Sequence, residues 1–333
     1  MGPAPRRTRR VQVGHLGIGG GEPVRVQAMT KTDTRDTQAT LDQIRALEVA
    51  GAEIIRLALP DPESLASLAR LRPHTTAPLV GDVHFDHRLA VGALEAGADK
   101  IRINPGNIPD PARLRQVVEA AKQRGVPIRI GINSGSVPMA LVREYGGPNA
   151  RAMVAAAVQT ATLFEEWGFS SLVISLKSSS VAETIEANRL LAAQLDYPIH
   201  LGVTAAGPAL QSAVRSSLAL GPLLMQGIGD TVRISITGDP GREVEVAWEI
   251  LRALGLRQRG PIVVSCPTCA RCHHPDLPAL VERISTRLAQ ADVSASITVA
   301  VMGCEVNGPG EAREADLGVA YGPRGAGLLF EGG

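Results

Sequence analysis

The side chains best equipped for chemistry are four thiols crowded toward one end of the chain. Cys266, Cys269 and Cys272 recur every third residue in Ser265-Cys266-Pro267-Thr268-Cys269-Ala270-Arg271-Cys272, and Cys304 stands in Gly303-Cys304-Glu305-Val306-Asn307-Gly308-Pro309-Gly310-Glu311. No cysteine precedes them. Cysteines used as small core hydrophobes would be scattered, so their collection here points to a shared ligand. A C-x2-C pair lets one tight turn aim two thiolates at a metal centre, and Pro267 limits the freedom of that turn. Zinc and iron-sulfur clusters both use this device. Two features favour iron-sulfur: no histidine follows at finger-like spacing, and Cys304 precedes Asn307-Gly308-Pro309-Gly310, where small residues let backbone amides approach a bulky cluster. His273 and His274 adjoin Cys272 and could complete a zinc site, but solvated loop histidines are the simpler expectation.

A second reactive set is cationic. Arg56, Arg102, Arg129 and Arg233 each interrupt an apolar run (Ile-Ile-Arg-Leu, Ile-Arg-Ile, Ile-Arg-Ile, Val-Arg-Ile), and Lys177 ends Leu-Val-Ile-Ser-Leu-Lys. Cations in such runs are expected to be buried and need partners. Each could pair with a carboxylate of the fold, yet Asp82 is the main acid at a matching position, so most of the five are expected to await an anion from outside. Guanidinium forks suit phosphate bidentately, so a small, strongly anionic substrate follows, a diphosphate being the best match. His84, two residues past Asp82, is open between general acid, substrate hydrogen-bond donor and structural histidine.

The elements that must position these groups repeat a short β-branched run, a loop and a helical stretch. Strands are expected at Val24–Met29, Glu53–Leu59, Pro78–Phe85, Lys100–Asn104, Ile128–Asn133, Ser171–Lys177, Ile199–Thr204 and Thr231–Thr237. Helices are expected near Gln38–Ala50, Pro62–Leu71, His87–Ala96, Pro111–Arg124, Ala150–Trp167, Val181–Leu195, Ala209–Met225 and Arg242–Leu254. Eight β-α units are the count of a closed parallel (β/α)8, TIM-type barrel. An open doubly wound sheet would want a glycine-rich first crossover, and none is present. Val11–Val26 reads as a hairpin with its turn in Gly17-Ile18-Gly19-Gly20-Gly21, because no helix follows those glycines as a nucleotide loop requires. In such a barrel the site lies at the C-terminal ends of the strands. Those positions carry Gln27, Arg56, Asp82, His84, Arg102, Asn104, Arg129, Asn133, Lys177, Thr204, Arg233 and Ser235. The barrel is read as residues 1–256, followed by a short linker and a small α+β domain at 262–333 that holds the cysteines and is too small to be sturdy without its metal group.

Composition excludes several classes. The chain has 333 residues, 44% of them hydrophobic, ample for a core, with no apolar run approaching a membrane span. A net charge of +1 and only three tyrosines, two tryptophans and four phenylalanines argue against nucleic-acid binding on basic patches and stacking platforms. The run Arg6-Arg7-Thr8-Arg9-Arg10 leads into polar, glycine-rich sequence instead of an apolar signal region. Clustered thiols without secretion point to a reducing cytoplasm.

Taken together, the cations and the cysteine segment resemble the 4-hydroxy-3-methylbut-2-enyl diphosphate synthases of the methylerythritol phosphate route. The resemblance runs through Val26–Thr30, Gly81–Phe85, Arg102–Asn107, Arg129–Asn133, His200–Thr204, Gly227–Ser235, Cys-Pro-Thr-Cys and Gly-Cys-Glu-Val-Asn-Gly-Pro-Gly-Glu, in order along nearly the whole chain. It implies a barrel followed by a small [4Fe-4S] domain, with Cys266, Cys269, Cys304 and Glu311 as cluster ligands. It also implies that Arg56, Arg102, Arg129, Asn133, Lys177, Arg233 and Ser235 hold the diphosphate, with Gln27, Asn104 and Thr204 beside them and Glu311, His84 and Asp82 as candidates for the chemistry. The implied reaction is the two-electron reduction of 2-C-methyl-D-erythritol 2,4-cyclodiphosphate, with electrons from flavodoxin or ferredoxin, in a head-to-tail homodimer. A barrel's last helix ends at the face opposite the site, so a short linker cannot easily carry the small domain over its own barrel mouth. Two departures stand out: Thr204-Ala205-Ala206-Gly207 replaces the family's Thr-Glu-Ala-Gly, and Cys272 adds a third closely spaced thiol. The missing acid leaves open a non-catalytic binder of phosphorylated metabolites with a structural or sensory metal site.

Overall fold

The computed structural model describes residues 6–290, 297–306, 310 and 312–332. They divide between Arg257 and Gln258 into two compact units.

The first unit opens with an antiparallel hairpin, β1 (Val11–Val13) and β2 (Leu16–Ile18). Its turn is Gly14-His15, not the glycine run expected to form it: Val13 pairs with Leu16, and Gly14 takes the φ of +55° that a two-residue turn demands. Then come β3 (Arg25–Met29), α1 (Thr37–Ala50), β4 (Ile54–Ala58), α2 (Pro62–Leu71), β5 (Leu79–Asp82), α3 (His87–Glu95), β6 (Lys100–Ile103) and α4 (Pro111–Arg124). β7 (Ile128–Asn133), α5 (Met139–Glu144), α6 (Ala150–Glu166), β8 (Leu172–Lys177), α7 (Val181–Gln194), β9 (His200–Leu201), α8 (Ala209–Leu224), β10 (Thr231–Val232) and α9 (Gly241–Ala253) complete the unit. The parallel sheet runs β8-β7-β6-β5-β4-β3-β10-β9. A parallel bridge between Ile174 and Ile199 joins its outer strands and closes the (β/α)8 barrel.

Local chemistry sets the helix ends. Asp36, Asp61 and Asp110 cap α1, α2 and α4 through their carboxylates, and Pro62 and Pro111 take the first helical position, where no N–H is needed. α5 escaped the sequence reading because six residues behind Pro138 carry no helical period. Three strands stop short of expectation. β5 ends at Asp82, since Phe85 adopts a left-handed φ of +64° that no strand can hold. β9 and β10 keep two residues each, so Thr204, Arg233 and Ser235 lie on the segments that leave the strands.

Strand periodicity sorts the side chains. Ile55, Leu57, Ile101, Ile103, Ile128, Ile130, Ile132, Ile174 and Leu176 join the apolar layer under the helices. The alternate positions face the barrel interior. At its lower end Ile54, Val80 and Val173 pack with Val11, Val13 and Ile18 of the hairpin, which plugs the barrel. Above that plug the inward positions turn polar.

The second unit is a four-stranded sheet, β11 (Ile262–Ser265), β12 (Thr298–Met302), β13 (Leu317–Tyr321) and β14 (Gly327–Glu331), parallel except for the last pair, with α10 (Leu277–Gln290). Its buried core among the described residues is slight: Ala300, Met302, Ala312, Ala315 and Ala320, with Cys266 and Phe330 against it.

Candidate active site

The barrel interior gathers the expected cations and shows how each is held. Arg102 donates Nη1 to Asp82 Oδ1 at 3.2 Å and Nη2 to the Gly131 carbonyl at 3.3 Å. Gly131 leaves room for this guanidinium, since a Cβ there would stand 2.5 Å from Arg102 Nε and push the side chain aside. Arg56 Nε lies 3.7 Å from Asp82 Oδ2, and its guanidinium also reaches Met29 Sδ. Asp82 thus serves two arginines. Burial works against its charge, but Arg56, His84 and Arg102 overcome that penalty and hold its pKa far below the usual carboxylate range.

Arg233 has an acid of the fold beside it, which the sequence did not reveal. Its Nη2 sits 3.0 Å from Glu243 Oε2, a buried acid in the first turn of α9, and Nη1 donates to Ser235 Oγ at 2.6 Å. Lys31 Nζ lies 3.1 Å from the same carboxylate. Arg129 and Lys177 are different. Both are buried, and their hydrogen-bond partners are neutral: Arg129 Nη1 donates to Gln27 Oε1 at 3.3 Å, and Lys177 Nζ to His200 Nε2 at 3.2 Å. His200 passes its own Nδ1 proton to Thr231 Oγ1 at 2.7 Å, as a neutral imidazole must when its other nitrogen accepts. Burial, then the neighbouring cations, pushes the pKa of Arg129, Lys177 and His200 well down. Gly202 makes room for Lys177, since a Cβ there would stand 2.5 Å from Nζ.

The remaining expected residues ring this centre. His84 is exposed at the mouth. Its Nε2 lies 2.8 Å from Arg102 Nη1 and its Nδ1 lies 3.1 Å from Asn107 Nδ2, so both ring nitrogens face nitrogen donors. Asn104 is buried and spends Oδ1 on the Gly106 amide. Asn133 ties its main chain to Ser136 Oγ and leaves its side chain half-buried. Gln27 Nε2 is buried with no hydrogen-bond partner. Thr204 N–H binds the Ser178 carbonyl, and the next residue, Ala205, is exposed in the left-handed region at φ +51°. A cavity of about 380 Å³ between the β6–α4 loop and α6, lined in part by Asn104, has no charged lining residue.

Sequence reasoning missed Glu243, Lys31, Lys100 and His200. The signal for Lys100 was present: in Lys100-Ile101-Arg102-Ile103 it shares the phase of Arg102. Glu243 stood in a helix, where only the fold brings it under Arg233.

In the second unit the first three cysteines follow β11 and the fourth follows β12. Gly303 N–H points at Cys266 Sγ at 3.2 Å, and a Cβ on Gly303 would lie 2.6 Å from Cys272 Sγ and 3.3 Å from Cys266 Sγ. Cys266 and Cys272 therefore meet at one glycine, Cys304 is buried beside it in sequence, and Cys269 is exposed. Among the described residues no group of three His, Cys, Asp or Glu side chains is close enough to hold a metal ion, and Glu311 lies outside those residues. The donor set is nonetheless soft thiolate, and the side-chain-free Gly303 offers its amide to sulfur, which fits an iron-sulfur group. The two histidines are not the solvated pair expected. His273 Nε2 lies 3.2 Å from Glu305 Oε2, while His274 packs edge-on against Tyr321 and accepts from the Asp276 amide.

Comparison with known proteins decides the family. The GcpE TIM-barrel domain matches residues 8–248 and the GcpE protein C-terminal domain matches residues 262–333. The chain belongs to the GcpE family. Among curated members, the 4-hydroxy-3-methylbut-2-en-1-yl diphosphate synthase (flavodoxin) of Nitratidesulfovibrio vulgaris is 52% identical over 337 residues, covering 100% of this chain and 86% of the relative. The proteins of the same name from Maridesulfovibrio salexigens and Geobacter sulfurreducens are 53% and 51% identical, each over 98% of this chain and 90% and 92% of theirs. Solved structures outside the GcpE family share the barrel alone. Dihydropteroate synthase from Xanthomonas albilineans aligns with a TM-score of 0.51 at 17% identity over 73% of this chain and 98% of its own. Spore coat polysaccharide biosynthesis protein spsE from Bacillus subtilis aligns at 0.55 and 12%, over 74% and 72%. Among the described residues no helix is long and apolar enough to cross a membrane.

Proposed function

We propose that this GcpE-family chain is an oxidoreductase that opens and dehydrates 2-C-methyl-D-erythritol 2,4-cyclodiphosphate to 4-hydroxy-3-methylbut-2-enyl diphosphate, taking two electrons from flavodoxin or ferredoxin in the cytoplasm. The observation that carries this reading is the pair Arg129 and Lys177, buried at the heart of the barrel with neutral partners, so that the site has more positive charge than its own carboxylates balance. A diphosphate supplies the missing charge in a low-dielectric interior, where each contact counts for more than in water.

Arg56, Arg102, Arg129, Lys177 and Arg233 bind the two phosphates. Gln27, Asn104, Asn133, Thr204 and Ser235 orient the rest of the substrate by hydrogen bonds. Asp82 acts through Arg56 and Arg102, which it aims, and His84 stands at the mouth as the candidate proton donor. Cys266, Cys269, Cys304 and Glu311 hold a [4Fe-4S] cluster in the unit after Gln258. When bound, such a cluster supplies single-electron transfer and a Lewis-acidic iron. The protein's own part is to bind the anion, exclude water from the carbon centre and keep a proton available for the leaving oxygen.

The working unit is a homodimer in which each barrel mouth is served by the partner's cluster domain. Arg257, where the chain leaves the barrel, is tied to the Val24 carbonyl and Glu53 ahead of β3 and β4, at the end opposite the site. Anaerobic purification followed by iron and sulfide assay and turnover of the cyclodiphosphate with reduced flavodoxin tests the activity; a protein that holds iron and binds the substrate without turning it over would leave the binding function that Ala205 keeps open. Mixed dimers of Cys304→Ser and Arg129→Ala chains should regain turnover at one composite site, and proven exchange without recovery would reject the shared site.

A further inference from the structure

Lys100 belongs to none of these roles. It precedes Arg102 by two residues on the inward face of β6, has no solvent exposure, and its Nζ has no hydrogen-bond partner. Below it the barrel is shut: Val80, its partner in register on β5, belongs to the apolar plug with Ile54, Val173 and the hairpin. Its charged neighbours are Arg129 on β7 and Arg56 on β4, and His200 on β9, held by Lys177, feels it in turn. The acids are spoken for. Asp82 serves Arg56 and Arg102, Glu243 serves Arg233 and Lys31, and Asp99 binds Arg72 and the Leu79 amide. Full burial without a hydrogen-bond partner or a carboxylate of its own works against an ammonium here and favours the amine in the free protein. Burial first, and then Arg129 and Arg56, pushes its pKa well below the ordinary lysine value.

A diphosphate on Arg129 and Lys177 reverses that situation by bringing negative charge into the same interior. We propose that Lys100 is a further residue of the anion site, one that takes a proton from solvent when the diphosphate binds, supports the anion from below as an ammonium, and returns the proton on release. By linkage, affinity then falls as pH rises between the lowered pKa of the free protein and the raised pKa of the complex. Below that window both states are protonated and the dependence vanishes. This inference rests on the diphosphate reading of the barrel.

The test is calorimetric titration of the cluster-loaded, oxidised protein with the cyclodiphosphate, without reductant, in two buffers of different ionisation enthalpy at about pH 7.5. The ligand's phosphates each carry one strongly acidic proton, already lost, so any uptake belongs to the protein. Wild type should take up about one proton per site or more, and Lys100→Met should bind more weakly and take up about one fewer. The slope of log affinity against pH in wild type reads the same uptake without any variant, should Lys100→Met fold poorly. Binding with no uptake in wild type, or equal uptake in wild type and a folded Lys100→Met, overturns the proposal while leaving the diphosphate site intact. No binding at all by wild type overturns the diphosphate reading and this proposal with it.

Discussion

The barrel and the small unit carry their reactive groups on different kinds of backbone. Arg56, Arg102, Arg129 and Lys177 stand on strands of a closed ladder, the last three buried and Arg56 half-buried, between a plug of valines and isoleucines below and the mouth above, with glycines at Gly131 and Gly202 giving the long side chains room. The thiols stand on turns. Cys269 is exposed, Thr268 beside it is held at φ +59°, and the core beneath is mostly alanine. A site on strands is preorganised by packing that exists without ligand, whereas a site on turns of a small domain depends on the group it binds to hold it together.

If that contrast is right, removing a ligand of the thiol site should do the most damage. Cys304→Ser or Cys266→Ser should lose essentially all iron and the cooperative unfolding of the small unit, with the barrel transition unmoved in scanning calorimetry. Cys272→Ser serves as the control and should keep its iron. Iron lost from Cys272→Ser but retained in Glu311→Ala would mean an all-cysteine centre.

Next in size is Asp82→Asn, which leaves Arg56 and Arg102 buried beside a neutral amide. Breaking a buried pair in this way costs about 3–5 kcal/mol, read as a lower urea midpoint of the barrel. The pH sign follows from its depressed pKa. Asp82's contribution is complete above the unfolded carboxylate pKa of about 4 and is lost as pH falls toward the folded value, so wild type and variant should converge in acid. A constant gap between them from neutral pH into acid would reject the buried triad.

Arg129→Met sharpens the comparison from the binding side. It should weaken cyclodiphosphate binding roughly ten- to hundredfold, as loss of a charged hydrogen bond of about 1.5–3 kcal/mol implies, without lowering barrel stability, because its hydrogen bond goes to the neutral Gln27 and not to a carboxylate. A variant that unfolds instead would show that the cation is structural.

The smallest effect is expected at the rim. Ala205 already occupies the left-handed region, so Ala205→Glu adds a carboxyl without changing the Cβ penalty of that turn. The added acid should raise kcat severalfold while the substrate Kd stays within a few-fold, part of the range of about 10² to 10⁴ that general acids contribute. A wild type as fast as the Glu variant would place the proton source elsewhere, with His84 next to examine.

Much of the barrel was legible because its signals are local and repeated. Alternation in Ile128–Asn133 and Leu172–Lys177 marks buried strands, Asp61-Pro62 and Asp110-Pro111 announce helix starts, and Gly51 and Gly125 end helices in the left-handed conformation. Phe85, φ +64°, broke the strand reading since no residue type there warns of a turn. The five cations and the acid Asp82 could be named from the sequence, but Glu243, Gln27 and His200 as partners could not.

Sequence alone therefore determined the order of the elements, the inward phase of the cations and the gathering of thiols after Ser265, all of which depend on neighbours within a few residues. Tertiary structure decided which charges are compensated. Glu243 reaches Arg233 from a helix ten residues on, Gln27 meets Arg129 across 102 positions, and the hairpin at Val11–Ile18 seals the floor beneath Lys100. Whether a buried cation is a structural ion or a waiting ligand is set by Coulomb interactions and desolvation, which act through space, and only closure of the barrel brings those partners within a few ångströms.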